Sequence, residues 1–313
     1  MRYICFCGRA LQIGSSLVAF HASVTKCIER YLDAKRNVLL FSKGVLLVEG
    51  DAEEILIPNM IKNAYGISLD EIGIGLVNVG STAFEYIASI FDDSRINRYC
   101  SIVTDMDKQA VEPDSSLYKS EAEAAGEARK VKLEELYEDN PWIGTFYAEH
   151  TFEIEFANDG ENYKYAVASL DKIFTQRAAI THHQKLLEDA ETRNEEILRL
   201  SPKEGKGWMA TLMAGELDCV VSIPNYIVSA IAFAAQETMS IQIYAKMIVH
   251  SMSYYNGGIM EQYIMKLTSA QDDQTLISRI REALDDNTFT NDVVVDFINK
   301  CEENHLILGD TDE

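Results

Sequence analysis

Residues 43–54 read Lys-Gly-Val-Leu-Leu-Val-Glu-Gly-Asp-Ala-Glu-Glu. Val45–Val48 are four bulky aliphatics in a row, too few for a lone helix and without polar alternation. That pattern predicts a strand buried on both faces, as in a parallel sheet. The run stops abruptly at Glu49-Gly50-Asp51. Gly50 lets the chain turn sharply, and Asp51 or Ala52 opens the helix that Glu53-Glu54-Ile55-Leu56-Ile57 begins. Acidic side chains thus gather at the carboxyl end of a buried strand, where open α/β sheets place their sites. Such a gathering points to a divalent cation.

The flanking sequence repeats the arrangement. A second strand is expected over 72–79 (IGIGLVNV), ending in Gly80-Ser81, with a helix over 82–91. A third, over 99–103 (YCSIV), ends in Thr104-Asp105-Met106-Asp107, and a fourth over 142–148 (WIGTFYA) has Glu149-His150-Thr151-Phe152-Glu153 at its end. The β-α-β-α-β alternation predicts an α/β fold, a parallel sheet with helices on its faces. From about Tyr163 the chain is mainly helical, with periodic segments over 163–180, 185–200 and 223–255. Pro202, Gly205 and Gly207 mark a break, Pro224 opens a helix, and 270–313 forms a helical tail. Residues 1–42 read as a lead-in, helical around 20–40 (Val24, Ile28, Tyr31, Leu32) and suited to meeting a partner. The domain reading is therefore 1–42 lead-in, 43–160 catalytic core and 161–313 helical region. Within the core, 108–140 is an acidic insertion, expected to be mobile and without chemistry, with a solvated helix over 121–137.

The formal net charge is −22, from 28 Lys+Arg against 50 Asp+Glu. Such a chain repels nucleic acid at long range unless metal ions or a basic partner intervene. The six cysteines contain no C-x-x-C pair, so neither a zinc ribbon nor a disulfide framework is indicated. Charges interrupt the apolar N-terminus, no apolar run reaches membrane-span length, and a cytoplasmic location without a membrane contact is the expectation.

Three predicted strand ends carry carboxylates: Glu49 with Glu53, Asp105 with Asp107, and Glu153 with Glu155. Glu53 in the first turn of its helix can lean back over the crevice that Glu49 borders. Asp105 and Asp107, two apart in an extended segment, would point to one side. An all-oxygen donor set suits Mg²⁺ or Mn²⁺ rather than zinc, and one or two cations would relieve the mutual repulsion. His150, His182 and His183 are read as surface or packing residues, with a role for His150 beside the site left open.

These residues carry a resemblance. Val48-Glu49-Gly50-Asp51-Ala52-Glu53 followed by Thr104-Asp105-Met106-Asp107 resembles a Toprim (topoisomerase–primase) domain. LLFSKGVLLVEGDAEEILIP and GISLDEIGIGLVNVGSTAFEYIASIF resemble, more narrowly, the nuclease half of OLD-family (overcoming-lysogenization-defect) endonucleases. Thr151-Phe152-Glu153 is similar to that family's T-L-E motif and Lys206-Gly207-Trp208-Met209-Ala210 to its K-G-x-F-A motif, and Ile223–Ile227 also fits. The resemblance implies a Toprim-like sheet and a two-metal nuclease acting on DNA. Glu49, Glu53, Asp105, Asp107 and Glu153 would hold the ions, and Lys206 would neutralise charge developing on the phosphate. Thr104 would add a hydroxyl ligand, and Gly80-Ser81 would border the phosphate path. Asp51, Glu54 and Glu155 are expected to be helix-start or surface carboxylates.

OLD proteins usually carry an ABC-type ATPase ahead of the Toprim domain. Here no G-x-x-x-x-G-K-[ST] motif occurs, so the expectation is an antiphage effector served by a separate ATPase, in a homo- or hetero-oligomer. A non-catalytic scaffold of the same fold and an RNA-cleaving Toprim nuclease are the alternatives. A topoisomerase would need a separate DNA-gate domain with a tyrosine nucleophile, and a primase a zinc module.

Overall fold

The computed structural model describes residues 3–6, 9–12, 38–109, 121–255, 258–287, 289 and 292–309. The chain opens with an antiparallel pair, β1 (Tyr3–Phe6) and β2 (Arg9–Gln12). The helical reading of the lead-in concerns 20–40; over 3–12 the aromatic and β-branched content of Tyr-Ile-Cys-Phe favours a strand. The helix expected around 20–40 lies outside the described residues except for α1 (Val38–Phe41).

The core is a four-stranded parallel sheet of β3 (Gly44–Val48), β4 (Ile74–Asn78), β5 (Cys100–Asp105) and β6 (Ile143–Ala148), in the order β4-β3-β5-β6. Every residue of β3 is buried. Leu46 and Val48 enter one apolar core, with Leu56, Met60 and Phe152. Val45 and Leu47 enter a second, with Phe84, Phe91 and Leu133. Each such side chain contributes roughly 1.5–3 kcal/mol relative to exposure. A continuous aliphatic run is what a strand sandwiched between two cores requires.

After β3, the helix α2 (Asp51–Tyr65) starts at Gly50 and stops at Gly66, whose φ of 68° is left-handed. The helix expected over 82–91 is a single turn, α3 (Glu85–Ala88), in a loop held by backbone hydrogen bonds. The acidic segment contains α4 (Glu121–Tyr137), and here the expectation of a free, solvated helix is corrected. Gly126, Leu133 and Tyr137 are buried, and Leu133 and Tyr137 join the second core. Gly126 has no substitute at this packing distance: a Cβ there would lie 2.3 Å from the Met106 carbonyl oxygen.

The helical region runs through α5 (Phe152–Asn158), α6 (Tyr163–Ile173), α7 (Arg177–Glu188), α8 (Arg193–Glu204), α9 (Lys206–Ala214), α10 (Asn225–Ala234), α11 (Ile241–Met252), α12 (Gly258–Thr268), α13 (Asp273–Leu284) and α14 (Val293–Asn304). The long segments expected over 163–180, 185–200 and 223–255 are each interrupted. An extended Phe174 ends α6, and Ser240, whose hydroxyl accepts from the Ile243 N–H, restarts the chain as α11. Apolar spacing continues across such short breaks, so period alone does not reveal them. Pro202 lies inside α8, and the break falls at Gly205, with φ of 89°.

Helix α10 lies directly on the sheet. A Cβ on Gly44 would stand 2.0 Å from the Ala234 carbonyl oxygen, and the Ser101 hydroxyl donates to the Ala230 carbonyl at 2.6 Å. Among the described residues, no helix is long and apolar enough to cross a membrane.

Candidate metal centre

Strands β4 and β5 flank β3 on opposite sides, so the crevice beyond the carboxyl ends of β3 and β5 is the switch point where open α/β sheets bind ligands. Glu49 follows β3 directly, and Asp105 is the last residue of β5. The Thr104 hydroxyl ties the two strands together by donating to Glu49 Oε2 at 2.8 Å. Glu53, in the first turn of α2, is 5 % exposed, Asp105 7 % and Glu153 4 %. Carboxylates are almost never this buried without a partner.

Asp105 Oδ2 accepts the Phe152 main-chain N–H at 3.1 Å, while its Oδ1 is buried with no hydrogen-bond partner among the described residues. Burial first, then the nearby charges of Glu53 and Glu49, pushes the Asp105 carboxyl well above its ordinary range. Burial also pushes Glu53 up to about 7, with Glu153 and Glu49 adding to the rise and a backbone hydrogen bond and Lys206 opposing it. A set of buried carboxylates that disfavour one another's ionisation is matched by hard, oxygen-preferring cations.

Among the described residues, two basic side chains reach this set. Gly205 breaks the chain so that Lys206 begins α9, which packs along α2. Lys206 Nζ lies 3.1 Å from Glu153 Oε1. Burial works against the ammonium charge, but Glu153, then Asp105 and Glu53, outweigh it and raise the Lys206 pKa. Its side chain is still 56 % exposed, against 5 % for that of Glu153.

The second is Arg129, from the segment expected to lack chemistry. Its Nη2 hydrogen-bonds the Asp105 main-chain carbonyl and stands 3.4 Å from Asp107 Oδ2 and 4.0 Å from Glu49 Oε2. The available signal was local: Arg129 lies one helical turn beyond Gly126, the small residue on which the helix docks.

Two geometric expectations are corrected. Asp107 is not in an extended segment. Its φ is 53°, left-handed, a conformation Asp tolerates better than most residues, so the chain turns after Asp105. Glu153 is not at a strand end but in the first turn of α5, entered at an extended Thr151.

The remaining residues fall where their chemistry puts them. Asp51 and Glu54 both accept from the Asn78 amide, at 2.7 and 2.9 Å, and Glu155 holds His150 through its N–H and Nδ1 at 2.9 Å. Gly80 and Ser81 are exposed beyond β4, next to Asn78. His183 is a buried packing residue against Glu196. Tyr226, at the start of α10, has a buried hydroxyl with no partner among the described residues. Burial raises its pKa most, followed by the charges of Asp105 and Glu53, which places it behind the carboxylates. Among the described residues, no three His, Cys, Asp or Glu side chains are arranged as a ready ion cage.

Residues 40–107 match the family model for the TOPRIM domain of overcoming lysogenization defect protein-like proteins. The structure is similar to the C-terminal region of the Burkholderia pseudomallei OLD protein, with 27% identity and a TM-score of 0.51, over 64% of this chain and 100% of that one. The C-terminal region of the Xanthomonas campestris pv. campestris OLD protein aligns at 27% identity and a TM-score of 0.45, over 62% of this chain and 95% of that one. A comparison with curated proteins finds no match. Residues 40–107 are thus an OLD-like Toprim domain, set in a fold that matches the C-terminal region of OLD proteins.

Proposed function

We propose that this chain is a divalent-metal-dependent DNA endonuclease or nickase. The Toprim portion itself implies a nuclease-type function. The observation that carries the finer reading is the orphaned, buried Oδ1 of Asp105 among the buried carboxyls of Glu53 and Glu153. An unpaired anionic oxygen in such surroundings is costly unless a cation completes it.

Glu49, Glu53, Asp105, Asp107 and Glu153 would hold Mg²⁺ or Mn²⁺, two per site. When bound, the ions would supply an activated water and charge neutralisation at the scissile phosphate and leaving oxygen. The chain's own residues prepare that chemistry. Thr104 fixes one oxygen of Glu49, and the Phe152 N–H fixes one oxygen of Asp105, so each carboxylate keeps its other oxygen for an ion. Lys206, anchored by Glu153 and partly exposed, would neutralise charge developing on a phosphate. By resemblance, the chain would serve as an antiphage effector working with an ABC-type ATPase.

The test is cleavage of supercoiled plasmid in Mn²⁺ or Mg²⁺. Asp105→Ala and Glu49→Ala, folded by circular dichroism, should each lose at least about 100-fold in rate. Cleavage at the parental rate by either variant would remove the proposal. A matched RNA substrate run beside the plasmid distinguishes the two sugars.

A further inference from the structure

Helix α4 is attached to the carboxylate cluster at a specific point. Gly126 lies against the Met106 carbonyl, between Asp105 and Asp107, with no room for a Cβ. One turn on, Arg129 is 13 % exposed, and its Nη2 bonds the Asp105 main-chain carbonyl. The same nitrogen faces Asp107 Oδ2 at 3.4 Å and Glu49 Oε2 at 4.0 Å. Both separations exceed the 2.7–2.9 Å of a firm charge-assisted hydrogen bond. The Nε of Arg129 is buried with no partner among the described residues. The guanidinium therefore neutralises two carboxylates without being locked to either, and it is incompletely satisfied where it stands.

We propose that Arg129 is a tethered internal cation, occupying the Glu49–Asp107 side of the site and displaced when a divalent ion loads there. Helix α4 then acts as a gate on metal loading. The inference rests on reading the cluster as a cation site. A hard divalent ion takes carboxylate oxygens at about 2.0–2.6 Å. Glu49 and Asp107 hold a divalent ion less readily while a guanidinium stands beside them, because two cations a few ångströms apart in a partly buried site repel strongly. The two long contacts are the ones that give way. The backbone contact at Gly126 sets how far the helix must move.

The experiment is Mn²⁺ titration by calorimetry on the wild type, Arg129→Met and Gly126→Ala. Gly126→Ala lifts the helix off Met106 and withdraws Arg129 without changing any charge. Both variants should bind Mn²⁺ about tenfold more tightly than wild type. In the wild type, Mn²⁺ should also speed amide hydrogen exchange several-fold over residues 121–130, and Arg129→Met should lack that response. Equal or weaker Mn²⁺ binding by the variants overturns the gate while leaving the cation site intact. No Mn²⁺ binding by any of the three proteins removes the cation-site reading and the gate with it. If Arg129→Met does not fold, Gly126→Ala decides alone.

Discussion

Glu53 shows how burial couples charge to stability. Its folded pKa of about 7 stands above the ordinary value of 4.5. Between those two pH values the folded chain keeps a proton that the unfolded chain has released. Its contribution is therefore fully present below pH 4.5 and lost as pH rises through 7, on the order of 3 kcal/mol. Urea unfolding in EDTA at pH 5 and pH 7.5 should show wild type losing stability over this window and Glu53→Gln losing distinctly less. Asp105, shifted in the same direction, accounts for slope that persists in the variant. Lys206 makes a separable prediction. Lys206→Ala should slow plasmid cleavage about 100- to 1,000-fold, as expected for a lost transition-state donor, without weakening Mn²⁺ binding. A parallel loss of Mn²⁺ affinity would show that Lys206 instead organises Glu153.

Helix α4 is the element whose role the sequence concealed. Its composition is that of a solvated acidic helix, and only Gly126, Leu133 and Tyr137 mark a buried stripe. Leu133→Ala should cost about 2–4 kcal/mol by leaving a void in the second core, seen as faster amide exchange over 121–137 in particular. Helix α10 was legible as a helix, yet its seat was not. Gly44→Val should lower the melting temperature by several degrees, since the Ala234 carbonyl occupies the space a side chain would need. By contrast, the strand-turn-helix at Val45–Ile57 was readable directly, because aliphatic run, glycine and first-turn acids all act within a dozen residues.

The whole chain carries a formal net charge of −22. The free protein should therefore bind a short DNA duplex only weakly at 150 mM salt without divalent ions, with a dissociation constant above about 100 µM by fluorescence anisotropy. Adding Mn²⁺ should tighten binding at least tenfold in Asp105-containing protein and far less in Asp105→Ala. Equal tightening in both would place the relevant ions on the DNA or elsewhere on the surface.

The sequence by itself determined the parallel sheet and Glu49 and Glu53 at a strand end, since these follow from local periodicity and turn chemistry, while the switch point follows from the strand order in the folded sheet. Asp105 and Glu153 were also marked by their place after predicted strands, whereas Lys206 became a candidate only through a motif that resembles a known family. Only the tertiary structure decided that Glu153 projects from a helix, that Asp107 sits in a left-handed turn, and that Arg129 stands between Glu49 and Asp107. These depend on where helices α4 and α5 dock against β5. Docking is fixed by contacts between residues tens of positions apart, which no spacing along the chain encodes.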